Sequence, residues 1–523
     1  MRAVVIGAGV GGLSAAIRLQ AMGLEVLLLD KLPGPGGRAF VHRAEGFTFD
    51  MGPTVITVPP FIEDLFATAP GNPRLHPDFP EGQGTSYTDQ YVTLIPLDPF
   101  YRIHFPDGSH FDYTNRREQL LEEIRRLAPE DLDGYLAFER HARGIFEKGF
   151  LELGFTHFSS LWDMLRIAPE LFRLDAVRPL YTLVSRYFKD PRLREVFSFE
   201  SLLIGGNPLK VPALYAMIHF VERNWGVHFA LGGTGALVRG LERKFLELGG
   251  KVRYQAPVRR ILVRSRKVEG VVLESGEKIP AEIVVSNADY VHTYAQLLPP
   301  EARSLLTELR LKTTRLSMGL FVLYFGFKAR GDEGERLRHH NVLLAERYEG
   351  LLREIFDRKV LPEDFAHYLH LPTLTDPSLA PPGHHAAYTL IPVPHNGSGL
   401  DWKKLGPVYA EKALDYLEKN FLPGLRERLA YVHYITPDYF EWTLNSHLGS
   451  GFGPEPVLWQ SASFRPQNRS KEVRGLYLVG QSYQPGAGLP SVMMSAKMTA
   501  RLVAEDLGWK DVPASVNTSR PAY

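Results

Sequence analysis

Three glycine-rich segments in this chain have the residue types and spacing of a site for a phosphorylated nucleotide. Near the start, Gly7-Ala8-Gly9-Val10-Gly11-Gly12 fits G-x-G-x-x-G at Gly7, Gly9 and Gly12. Asp30 follows at the separation where that motif carries a ribose-binding acid. Gly7 permits a tight turn, Gly9 lets the backbone approach a pyrophosphate, and Gly12 lets helix and strand pack closely. Asp30 is suited to accept hydrogen bonds from ribose hydroxyls, and its charge argues against a 2′-phosphate. Next, Gly34-Pro35-Gly36-Gly37-Arg38 offers a guanidinium to a pyrophosphate. Taken alone, it equally fits a β-turn with a solvated arginine. The third segment, Gly480-Gln481-Ser482-Tyr483-Gln484-Pro485-Gly486-Ala487-Gly488, again resembles an anion-binding loop before a helix.

These loops need rigid elements around them. Arg2–Ile6 reads as a buried parallel strand running straight into the first loop. Leu13, Ile17 and Ala21 then recur on one helical face, Gly23 stops the helix, and Glu25–Leu29 is the next strand. Phe47-Thr48-Phe49-Asp50-Met51-Gly52-Pro53-Thr54 alternates like a strand and ends in a glycine–proline turn. Residues 116–220 are mostly helical in pattern. Thr234 stands where it can cap a helix carrying Leu237, Leu241, Phe245 and Leu248. Short strands follow around Val252, at 258–263, 268–273 and 278–280, and from Ile283. Leu476 to Val479 is a strand, and a helix begins near Pro490, a favourable first-turn residue.

Composition excludes several classes. The 523 residues exceed one ordinary core, so two or three domains are expected. A net charge of +1 provides no basic field for nucleic acid. With 0 cysteines, disulfides, thiolate metal sites and thioether-linked cofactors are ruled out. The N-terminal strand is not expected to be a signal peptide. No apolar run approaches the roughly 20 residues that span a bilayer, and the best candidate, 316–327, reads as a core strand. His339-His340 and His384-His385 invite a metal reading, but neighbours on a strand point to opposite faces and no carboxylate is spaced to join them. No metal is expected.

The order of loops and strands resembles the flavin amine-oxidase and carotenoid-desaturase superfamily. The closer resemblance is to the bacterial phytoene desaturases. It rests on Gly52-Pro53-Thr54-Val55, Asp163-Met164-Leu165-Arg166, Phe197-Ser198-Phe199 with Leu202-Leu203-Ile204-Gly205-Gly206-Asn207-Pro208, and Trp225-Gly226-Val227. It continues through Ser286-Asn287-Ala288-Asp289, the 320–326 run and Phe464-Arg465-Pro466-Gln467-Asn468-Arg469. Two positions depart from that family's pattern: Tyr483-Gln484-Pro485-Gly486 replaces Thr-His-Pro-Gly, and Asp30 replaces a glutamate. The first leaves the number of desaturation steps and the preferred polyene open.

The resemblance implies an α/β fold: an interrupted Rossmann-like FAD-binding domain, a mixed-sheet substrate domain and a helical membrane-associating region. The expected division is 1–115, 221–292 and 430–515 for FAD, 116–220 for the helical region, 293–429 for substrate, and 516–523 as a tail. It implies non-covalent FAD held by Gly7, Gly9, Gly12, Asp30, Gly36, Gly37, Arg38, Val258, Gly480, Pro485, Gly486, Ala487 and Gly488. Asp163 and Arg166 become acid–base candidates, although residues three apart on a helix equally form an ordinary ion pair. The implied reaction turns a C40 precursor such as phytoene into lycopene or neurosporene by hydride loss to flavin plus proton loss. The implied partners are a polyene, a membrane surface and an oxygen or quinone acceptor, in a cytoplasmic, membrane-peripheral protein, with homo-oligomerisation left open. The membrane contact is expected within 158–189, where apolar residues alternate with Arg166, Arg173, Arg178 and Lys189. Alternatives are a related ketolase or amine oxidase and, from another class, a non-catalytic lipid escort of the same fold.

Overall fold

The computed structural model describes residues 1–76 and 84–509. The expected tail at 516–523, and the end of the 430–515 segment, lie outside the described residues.

Stretches far apart in sequence build one parallel sheet. Its strand order is Leu476–Leu478, Ile283–Ser286, Arg2–Ile6, Glu25–Leu29, Lys251–Arg253. Every pairing in it is parallel. Helices cover such a sheet on its faces, so its central strands are apolar throughout: Ala3, Val4 and Val5 are fully buried. The helix Val10–Ala21 is buried on nearly every side because it packs against Thr234–Glu247 and the C-terminal helix Leu489–Asp506. A three-stranded antiparallel sheet, Val258–Arg264, Lys267–Leu273 and Lys278–Pro280, lies in the chain between the edge strand Lys251–Arg253 and the inner strand Ile283–Ser286.

The two ends of the chain are also clamped by charge. Asp64 accepts from Arg18 Nη2 at 2.8 Å, Arg74 Nε at 2.8 Å and Lys497 Nζ at 3.3 Å. Three cations hold the Asp64 carboxyl far below its usual range despite its burial. Removing one partner of such a buried cluster leaves an uncompensated charge, which costs about 3–5 kcal/mol.

The second body is a seven-stranded sheet, ordered Leu429–Ile435, Gly319–Lys328, His384–Val393, His367–His370, His340–Leu343, Tyr101–His104, His110–Tyr113. It is antiparallel except where His340–Leu343 meets Tyr101–His104. Both faces of its long inner strand are buried. Leu320, Val322 and Tyr324 face the main core, whereas Phe321, Leu323, Phe325 and Phe327 pack with the helix Trp402–Asn420. That double burial explains an uninterrupted apolar run in an antiparallel strand.

The sheet corrects the expected boundaries. Tyr101–His104 and His110–Tyr113, which lie within the expected segment 1–115, belong to the seven-stranded sheet, as does the edge strand Leu429–Ile435. Strand partners from distant sequence decide membership, and no local pattern reports them. Helices dominate 116–220 as expected, including Arg117–Leu127, Leu132–Phe146 and Leu161–Arg173.

Candidate active site

A cavity of about 770 Å³ runs between the two sheets. Gly7 and Gly9 line it together with Gly480, Ala487 and Gly488, so the first and last glycine loops meet at one site. The stitch between them is Asn287, at the end of the strand beside Arg2–Ile6. With its amide turned so that oxygen faces a donor and nitrogen an acceptor, its side chain accepts from Gly12 N at 3.3 Å and donates to Val479 O at 3.1 Å. Two helices open into this space. Val10–Ala21 is preceded by Gly9 and Leu489–Asp506 by Gly488, neither with a side-chain cap, and the first turns of both line the cavity. Their free N–H groups and helix dipoles favour negative charge.

The glycines are required by space. A Cβ at Gly12 would lie 1.9 Å from Gly7 O, and one at Gly36 would lie 2.6 Å from Ala39 O. Gly36 N donates to Ala8 O at 2.9 Å, so the second loop lies directly on the first. Asp30 accepts from Ala8 N at 2.6 Å and Leu32 N at 2.8 Å. Burial raises its carboxyl, and those two N–H groups oppose the shift. Ala256 N donates to Asp30 O at 2.8 Å, which brings Val258 to the acid's end of the cavity. Arg38 also lines the cavity, but its guanidinium is partly committed, donating to Gly451 O at 3.1 Å and Ser446 Oγ at 2.8 Å.

Of the expected cofactor residues, Gly7, Gly9, Asp30, Gly36, Gly37, Arg38, Val258, Gly480, Ala487 and Gly488 line the cavity. Gly12, Pro485 and Gly486 are outside the lining and shape it from behind. Arg465, buried against Gly486, donates to Tyr483 O at 3.1 Å and Gln481 O at 2.6 Å and so fixes the last loop. Thr234 does not cap its helix. Its hydroxyl donates to Pro53 O, and Asp50 caps the helix from across the fold by accepting from Thr234 N at 2.9 Å and Gly235 N at 3.2 Å. Burial pushes Asp50 up to about 6.

The acid–base candidates need correcting. Neither Asp163 nor Arg166 lines the cavity. Asp163 forms a capping box with Ser160 at the start of Leu161–Arg173, accepting from Ser159 N and Ser160 N, both at 2.8 Å. Those N–H groups lower its carboxyl. Arg166 is exposed. Strand geometry also misled the reading of the histidines. His339, His340 and His370 converge, with ligand nitrogens within 4.8 Å of one another, because His340 pairs with His370 and His339 precedes the strand. Burial keeps all three neutral, with His339 down at about 3. They bond to Thr375, Tyr368 and each other outside the cavity lining.

Away from the loops the wall is apolar, formed by Leu202, Ile204, Val221, Leu320, Val322 and Leu390 among others. Glu200 and Glu222, which the sequence reading passed over, interrupt it. Glu200 falls in the gap between the 197–199 and 202–208 segments, and its charge in an apolar stretch was the available signal.

This is the site of a flavin-dependent redox protein, and the chain belongs to the family of flavin-containing amine oxidoreductases, whose model matches residues 10–504. Among characterised relatives, it is 47% identical to the lycopene-forming phytoene desaturase of Pantoea ananas, over 96% of this chain and 99% of that one. It is 39% identical to the neurosporene-forming phytoene desaturase of Cereibacter sphaeroides, over 100% of this chain and 97% of that one. Cyclohexylamine oxidase from Brevibacterium oxydans shares the fold with a TM-score of 0.61 at 15% identity, covering 97% and 99% of the two chains. The cofactor is FAD, which fits the two uncapped helix ends, the glycine cradle and Asp30.

Proposed function

We propose that this chain is a phytoene desaturase that forms lycopene or neurosporene. The observation that carries the reading is one cavity joining the nucleotide loops to a long apolar wall. The relatives that span the chain from end to end supply the substrate class. Bound FAD supplies a two-electron acceptor for hydride. The protein's own residues hold the pyrophosphate end with backbone N–H groups, the ribose end with Asp30, and the hydrocarbon between Leu320, Val322 and the helical layer. The apolar wall excludes water from a carbocation-like centre, whose charge the polyene delocalises. Oxygen or a membrane quinone is the final acceptor in this reading.

A C40 hydrocarbon has almost no aqueous concentration, at about 0.8 kcal/mol for each buried CH₂. Its source in this reading is a bilayer surface. Among the described residues, no helix is long and apolar enough to cross a membrane. An exposed ridge supports surface docking instead. Trp162 and Phe172 on Leu161–Arg173 are 78% and 68% exposed. Leu305 and Leu306, on a helix with no buried residue, are 90% and 75% exposed. The Ala462–Phe464 turn joins the two helices: Ser463 Oγ donates to Ser160 O, and Arg310 Nη2 to Phe464 O. Arg166 and Lys312 supply cationic neighbours. Leu180 and Phe188, expected in this contact, are core residues at 1% exposure.

The test is incubation of FAD-loaded protein with phytoene in liposomes, with products separated by chromatography. Products of longer conjugation are expected, and recovery of unchanged phytoene would overturn the reading. In flotation the protein should rise with anionic vesicles, and a variant with Trp162, Leu165 and Phe172 replaced by serine should not. Equal flotation of both would remove the ridge from the account.

A further inference from the structure

Five carboxyl groups line the cavity: Asp30, Glu200, Glu222, Glu274 and Asp289. Three belong to the nucleotide end or are committed there. Asp30 holds the first loop, Glu274 N donates to Pro257 O one residue before Val258, and Asp289 caps the turn at Tyr290–His292 and accepts from Ser482 Oγ at 3.2 Å. Glu200 and Glu222 differ. They are 3% and 1% exposed, and they sit in the helical layer on Phe199–Ile204 and Met217–Trp225.

Among the described residues, no cation is committed to either. Glu222 Oε1 accepts from Tyr101 Oη at 2.6 Å, whereas Glu222 Oε2 and Glu200 Oε1 have no hydrogen-bond partner. The adjacent Arg223 is taken by Glu139 and Tyr135. The other titratable groups packed around the pair are Tyr101, Tyr113, Tyr368 and His219, with Tyr135 beyond Tyr113. Tyr113 and His219 are hydrogen-bonded to each other, and burial keeps His219 neutral. Two carboxylates in such a place cannot both be charged without a large desolvation penalty.

Resting on the desaturase reading above, we propose that Glu200 and Glu222 form the proton-accepting site of this enzyme. The pair shares one proton and takes the second from the substrate. Making a carbon–carbon double bond removes a hydride, for which the flavin is the oxidant, and a proton from the neighbouring carbon. The electrons of that second C–H bond become the π bond, and the proton goes to the ionised carboxylate of the pair. The same negative charge, in an apolar wall, stabilises the positive charge that develops on the hydrocarbon. Burial, reinforced by Glu222, raises Glu200 far above the carboxylate range. Burial brings Glu222 up to about 7, with Tyr101 and Glu200 opposing. The acceptor is therefore ionised only as pH rises through about 7, and turnover should rise over that interval.

The first test does not need turnover. Infrared spectra of the FAD-loaded protein should show the carbonyl stretch of a buried protonated carboxylic acid that titrates near neutrality. The Glu200→Gln/Glu222→Gln double variant should lose the part of that band that belongs to the pair and keep the part from buried Asp50, which lies at about 6. A wild-type spectrum without such a titrating band overturns the proposal, whether or not the variants fold. In the phytoene assay the double variant should retain bound flavin and lose about 10²–10⁴-fold in kcat, and Glu222→Asp should recover part of that loss. Wild-type turnover matched by an equally active double variant sinks the carboxyl pair alone. A wild type that leaves phytoene unchanged sinks the desaturase reading itself.

Discussion

The two halves of the cavity recognise their occupants by different physics. In the nucleotide half, backbone does the work: glycines clear space, helix ends present N–H groups, and Asp30 accepts from two N–H groups of the loop region. In the apolar half, side chains do the work: one face of a doubly buried sheet opposes a helical layer, with two carboxyls in its wall. Backbone recognition tolerates almost no substitution, because a clash with backbone cannot be relieved by a rotamer. Side-chain recognition tolerates volume-conserving change but depends on buried charge. The contrast predicts that cofactor loss and substrate loss are separable in this molecule.

The largest test of that contrast is Gly12→Val. The new side chain meets Gly7 O, against which even a Cβ would lie 1.9 Å away. The expected cost is about 3 kcal/mol or more, read as loss of bound flavin absorbance and a lower melting temperature. Full FAD occupancy in that variant would break the account of the nucleotide half. Asp30→Ala comes next. It strips the acceptor from Ala8 N and Leu32 N, at about 1–3 kcal/mol. Flavin fluorescence titration should show FAD binding about 10- to 100-fold weaker.

In the other half, Glu222→Gln should separate stability from function. Folding raises Glu222 from 4.5 to about 7. The neutral form is the one favoured by burial, so this group's contribution is full below 4.5 and is lost as pH rises through about 7. Thermal melts should show the variant gaining about 3 kcal/mol over wild type at pH 8, with the gain gone at pH 4. A gain independent of pH would assign the effect to packing. The smallest effect is expected from Asp163→Asn, outside both halves. Loss of its capping box should cost about 0.5–1 kcal/mol, while kcat with phytoene stays at the wild-type value. A collapse of kcat with intact flavin would restore Asp163 to the chemistry.

The sequence by itself determined whatever local spacing can encode. The strand–glycine–helix–strand–acid order of residues 2–30 appears in the structure as read, and so do Lys278–Pro280 and the helix around Pro490, whereas the strand that opens at Phe47 already stops at Asp50. Glycine positions record backbone clearance directly, which is why ten of the thirteen expected cofactor residues line the cavity. Tertiary structure alone decided what depends on distant partners. Asp50 caps a helix that begins at Thr234, Asn287 joins Gly12 to Val479, and strands at 101–113 cross into the other sheet. It also placed Asp163 at a helix cap and gathered Glu200 with Glu222, of which only Glu200, a charge in an apolar stretch, stands out in the sequence. The physical reason is that hydrogen-bond partners and burial belong to pairs of residues brought together by folding, and periodicity reports only one member of each pair.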